Sequence, residues 1–97
     1  MITAILMSKE FKAIVEELPE LATAEEIRRG DGTVVTGSEV LFCSENTDEV
    51  NARIVDSARR AIAEEKHLAL VIENHCSIGT IGELLFLNPE KLLAGNP

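Results

Sequence analysis

Tryptophan and tyrosine are absent from the chain, and phenylalanine occurs only three times. Single-stranded nucleic acid is held by aromatic stacking along a basic groove, and neither ingredient is present. Basic residues are scarce as well, 9 against 17 acids, which leaves a net charge of −8. Phosphate backbones and anionic lipid are recognised through clustered Lys and Arg. The two adjacent basic pairs, Arg28-Arg29 and Arg59-Arg60, have glutamates close by in the sequence. Neither nucleic acid nor a membrane is therefore expected as a partner. Cysteine is limited to Cys43 and Cys76, too few for a disulfide framework. No apolar run approaches the roughly 20 residues of a membrane-spanning helix. The apolar stretch Met1 to Met7 is short and uncharged, unlike a signal sequence. The expected location is cytoplasmic, with both thiols reduced.

What is present is aliphatic. Apolar residues make up 45% of 97 positions, enough for one core and one domain spanning 1–97. Ile2 to Met7 reads as a buried strand. Ser8 caps a helix whose stripe is Phe11, Ile14, Val15 and Leu18, and Pro19 stops it. Residues 22–30 admit two readings. Thr23 and Glu26 have capping-box spacing, which favours a short helix over 24–29, while the competing reading turns a strand back at Gly30-Asp31-Gly32. Thr33–Thr36 and Glu39–Cys43 predict two strands joined as a hairpin by Gly37-Ser38.

Asn46 and Glu49 then open a long helix over 47–65, its buried face given by Val50, Ile54, Ala58 and Ala61. Leu68 to Ile72 is the unbroken apolar run of a strand covered on both faces. Thr80 and Glu83 again have capping-box spacing and predict a helix through Leu84, Leu85, Phe86 and Leu87, with a last helical turn after Pro89. The expected fold class is α/β (α+β), a single domain built on a four-stranded mixed sheet with a β-hairpin edge and packed helices. Strands 39–43 and 68–73 should be parallel, joined by the long helix, with strand 2–7 running the same way.

Parallel strands bring their C-terminal ends to one edge, where open α/β sheets bind ligands. That edge would carry Cys43, Ser44, Glu45 and Asn46 after one strand and Asn74 to Ser77 after another. Three chemistries follow. A small anionic ligand would sit on the free N–H groups of a helix start, using Ser77, Gly79, Thr80, Ser44 and Asn46. Cys76, beside His75, would be a nucleophile if a helix N-terminus lowers its pKa. Cys43, Cys76 and His75 together would suit a soft metal, although no CxxC or HxxxH spacing supports one.

His75-Cys76-Ser77-Ile78-Gly79 resembles the opening of the Cys-based protein phosphatase loop, H-C-x-x-G-x-x-R. The resemblance covers five residues and implies a catalytic Cys76. It ends at Gly82, which stands where that family places its phosphate-binding arginine. No cofactor is implied by any motif. The leading expectation is a small binding or regulatory module, with a thiol-dependent enzyme as the rival. Residues 81–93 are too apolar for a helix in so small a domain, so a homodimer or hetero-complex through them is expected.

Overall fold

In the computed structural model of the chain, residues 1–76 and 79–94 are described, those at 74–76 and 79–82 by their backbone alone. Strand β1 (Ile2–Met7) leads into helix α1 (Lys9–Glu17). The Ser8 hydroxyl accepts a hydrogen bond from the Phe11 N–H at 3.1 Å, satisfying one of the donors left over at the helix start. Pro19 ends the helix and begins a 3₁₀ turn, Pro19–Leu21. Two short strands follow, β2 (Ile27–Arg28) and β3 (Val34–Val35), and then the longer β4 (Ser38–Ser44). Helix α2 (Thr47–Ala63) leads to β5 (His67–Cys76), β6 (Gly79–Leu87) and helix α3 (Pro89–Ala94).

The main sheet has the order β4-β1-β5-β6, and every neighbouring pair in it is antiparallel. Four strands with packed helices stand as the sequence implies, but the directions differ from expectation. β4 and β5 both oppose β1, so they run the same way and α2 does cross between them. β1, however, lies between them and runs opposite, so they are not neighbours. Backbone pairing along β1 is satisfied equally from either direction, and no residue pattern encodes which is used.

Three further expectations are corrected. Residues 27–28 are a strand, not the end of a helix over 24–29, because they pair with 34–35 across the Gly32 turn. Gly32 sits at φ +89, and the Asp31 carboxylate accepts from the Thr33 N–H at 2.9 Å. Strand β3 therefore does not form a hairpin with β4, which pairs with β1 instead. Residues 81–87 are strand rather than helix, since β6 is zipped to β5 over nine consecutive pairs from Cys76↔Gly79 to Leu68↔Leu87.

The sheet divides two cores. Because side chains alternate along a strand, Ile5 and Met7 of β1 enter one core and Ala4 and Leu6 enter the other. On the first face Phe11 and Val15 of α1, Ala22, Ile27 of β2 and Val35 of β3 close over Ala69 and Val71. On the second face Val50, Ile54, Ala58 and Ala61 of α2 cover Phe42 and Leu68, with Leu92 of α3 alongside. A bulge between Ala4 and Ile5 shifts the β4 register by one residue, and both Leu41 and Phe42 pack toward the α2 face. The outcome is a three-layer α/β/α arrangement. Among the described residues no helix is long and apolar enough to cross a membrane.

Candidate functional site

The strand-end edge read from the sequence does not assemble. Cys43 pairs with Thr3, and Thr3 pairs with Val71, so Cys43 lies level with Val71 and one strand removed from it. Cys76 lies five residues further along β5. With about 3.4 Å per residue and about 4.8 Å per strand spacing, the two Cα atoms are on the order of 20 Å apart. A shared thiol environment, or a metal held by Cys43 with Cys76 and His75, is ruled out by that distance. Cys43 itself is exposed, with its Sγ 3.5 Å from the Thr3 Oγ1.

The backbones of His75 and Cys76 pair with Thr80 and Gly79 in the β5–β6 hairpin. No helix begins after Thr80, so the N-terminal dipole invoked for both the nucleophile and the anion is missing there. Ser77 lies outside the described residues, as do the side chains of His75, Cys76 and Thr80. Ser44 and Asn46 are described, and both are spent on the start of α2. Asn46 Oδ1 accepts from the Asp48 N–H at 2.8 Å and the Glu49 N–H at 3.4 Å. The buried Ser44 hydroxyl accepts from the Asn46 N–H at 3.0 Å and donates to the Glu49 carboxylate at 3.0 Å. That helix start already holds a carboxylate, and Asp48 adds a second negative charge in its first turn. An incoming anion would meet repulsion. Among the described residues no group of three or more His, Cys, Asp or Glu is placed to hold a metal.

Two other features carry more. The first is a cleft of about 400 Å³ on the α1 face, lined by Pro19, Glu20, Ala22 and Thr23 on one side and Val71, Glu73, Glu83 and Leu84 on the other. The sheet supplies the floor and the 3₁₀ turn the roof. Glu73 pairs across to Gly82 in the β5–β6 ladder. Sequence reasoning missed this site, because its two walls are some fifty residues apart in the chain.

The second feature is the outer edge of β6. Nine residues pair without interruption on the β5 side, and among the described residues nothing pairs on the other. Phe86 and Leu84 turn toward the α1 core, where the Lys12 ammonium lies 4.8 Å from the Phe86 ring centroid. Leu85 and Leu87 turn toward the α2 side, and Leu85 is 44% exposed there, with Leu93 of α3 at 38%. The opposite edge of the sheet, β4, is broken by the bulge. It also carries Glu39, tied to Arg60 of α2 by two hydrogen bonds of 2.7 and 2.9 Å. Bulges and edge charges are how sheet edges are kept from pairing. β4 has both, and β6 has one glutamate.

Comparison with family models, with curated proteins and with solved structures gives no match. The functional reading therefore rests on the chemistry of these two surfaces.

Proposed function

We propose that this protein is a small binding module that self-associates by pairing β6 with β6 of a second copy. The observation that supports this reading is the contrast between the two sheet edges, one blunted and one regular and apolar. Antiparallel pairing about a two-fold axis is self-complementary, so one surface serves both partners. The sheet would run β4-β1-β5-β6 in one copy and β6-β5-β1-β4 in the other, antiparallel throughout.

Size decides what else must take part. Nine residues of strand span roughly 30 Å, and a sheet edge about 10 Å thick then covers on the order of 300 Å². A stable interface needs about 800 Å² per partner. Backbone pairing alone falls short. The exposed Leu85 and Leu93 beside the edge supply apolar area of the right kind, and Ile72 is half-buried on the same face. This interface overlaps the residues 81–93 expected from the sequence, with a strand in place of a helix, and extends beyond them to Gly79 and Ile72.

Sedimentation velocity over a micromolar concentration series tests the reading. Wild-type protein should be dimeric, and Leu85→Lys should be monomeric yet folded, since its side chain is not in the core. Val40→Lys, on the other edge at 54% exposure, should leave the dimer intact. A wild-type monomer throughout, or a dimer broken by Val40→Lys and not by Leu85→Lys, would refute the proposal.

A further inference from the structure

We infer that the cleft beneath the 3₁₀ turn binds a small organic ammonium ion carrying a short hydrocarbon body. This does not depend on self-association. The volume, about 400 Å³, is within the roughly 300–1,000 Å³ of small-molecule sites. Its floor is apolar, made by the buried Val71 and the partly buried Leu84, and Ala22 and Pro19 face it from the roof. Every ionisable group lining it is a carboxylate: Glu20, Glu73 and Glu83.

The two that matter most are Glu73 and Glu20. Val71 enters the α1-side core, so alternation puts Glu73 on that same face. Leu84 also faces the α1 side, so Glu83 contributes mainly its backbone. Among the described residues no Lys, Arg or amino terminus comes within ion-pair distance of any of the three carboxylates. The ammonium group of Met1 is bonded to the Glu73 backbone carbonyl at 3.0 Å, not to its carboxylate.

Among the described residues six other acids, Glu10, Glu16, Glu39, Glu49, Asp56 and Glu64, pair with a Lys or Arg and eight do not, so the lack of a partner does not by itself single these three out. What sets Glu20 and Glu73 apart is that they border a concave surface with an apolar floor, which a solvated acidic face does not have. The overall charge of −8 raises the local concentration of cations further. An anion or a neutral molecule of the same shape would lack the polar half of the recognition.

The test is calorimetric titration of the full chain with hexylammonium, hexanol, hexanoate and spermidine, with amide chemical shifts to locate binding. Hexylammonium should bind and move the amides of Ala22, Val71 and Leu84. Hexanoate should not bind, hexanol should bind more weakly, and spermidine should lack the Val71 and Leu84 shifts. Glu73→Gln should weaken hexylammonium by about two- to fivefold, the range for one partly exposed charge contact. Thr23→Trp, at the exposed mouth, should abolish binding by filling the cleft, and serves if the first variant folds poorly. Equal affinity for hexanol, unchanged affinity in both variants, or shifts centred on Leu85 and Leu93 would each overturn the inference.

Discussion

Gly37→Ala is the substitution whose cost follows most directly from the structure. Gly37 sits at φ +121, a region that side-chain-bearing residues rarely enter. Holding alanine there costs about 1–3 kcal/mol. The new Cβ would also lie 2.6 Å from the Ser8 Oγ and 2.9 Å from the Ser8 Cβ. That hydroxyl is the N-cap of α1, and the Ser8 N–H donates to the Gly37 carbonyl at 2.8 Å. Rotating the Ser8 Oγ out of the way gives up the cap, worth about 1 kcal/mol, and the contact with the Ser8 Cβ is relieved only by a backbone shift. The sum is about 2–4 kcal/mol, or a fall in melting temperature on the order of 10–25 °C for a domain of this size. Urea and thermal unfolding followed by circular dichroism give the value. The collision is separable from the backbone strain in a Ser8→Gly background, because glycine keeps most of the N-cap preference while removing the atoms that clash. There Gly37→Ala should cost about 1 kcal/mol less. A loss below about 0.5 kcal/mol in the wild-type background, or equal losses in both, would refute the close-approach argument.

Three other outcomes are expected. Glu65 holds φ 54 just after α2, where the Lys66 N–H bonds to the Ala61 carbonyl and the Glu65 N–H to that of Ile62. This is a Schellman ending without its usual glycine, so Glu65→Gly should stabilise by about 0.5–1 kcal/mol in urea unfolding. Burial lowers the pKa of His67 from its usual 6.5, with Lys12 and Lys9 adding to the shift and Glu16 opposing it. The unfolded chain therefore takes up the proton first, stability falls as pH drops through about 6.5 and levels off only below the lowered folded value, and His67→Gln should flatten that slope of the urea midpoint. Cys43 is exposed, so an alkylating reagent should label it in the native protein, and Cys43→Ser should remove that fast phase from the mass spectrum.

The elements that the sequence displays are those whose signal is local. Ser8 with the Phe11 and Val15 stripe, and Asn46 with Val50, Ile54, Ala58 and Ala61, place a cap and a period of 3.6 together. Both helices form where those patterns lie. What a sequence cannot display is which strand a strand meets. Val34 and Glu39 to Cys43 are equally β-favouring, yet one pairs with β2 and the other with β1. Gly37 is a positive-φ residue, as a turn reading requires, but its role is to let Ser8 approach and not to close a hairpin. The convergence of Cys43 with Cys76 depended on neighbouring strands, and the insertion of β1 between them removed it. The cleft was invisible for the same reason, since Glu20 and Glu73 meet only through the fold.

Residues 84–87 carry two competing local signals. Four consecutive apolar residues are the mark of a strand covered on both faces, as Leu68 to Ile72 proved to be. The spacing of Thr80 and Glu83 favoured a helix, but a capping box is two residues and the β5–β6 ladder is nine pairs. The strand reading also explains why part of this segment is bare. On the α2 side of the sheet, a helix about 10 Å across covers roughly two strands spaced about 4.8 Å apart. Along its 17 residues α2 touches β4, β1 and β5 in turn, which leaves α3 to cover β6. With six residues at about 1.5 Å each, α3 reaches about 9 Å along a strand of roughly 30 Å. It shields Leu87 and leaves Leu85 open. The sheet is one strand wider than its helices can roof on that side. A sequence that continues to place leucine there, with one acid and no lysine or proline along β6, has not been blunted as an exposed edge would be.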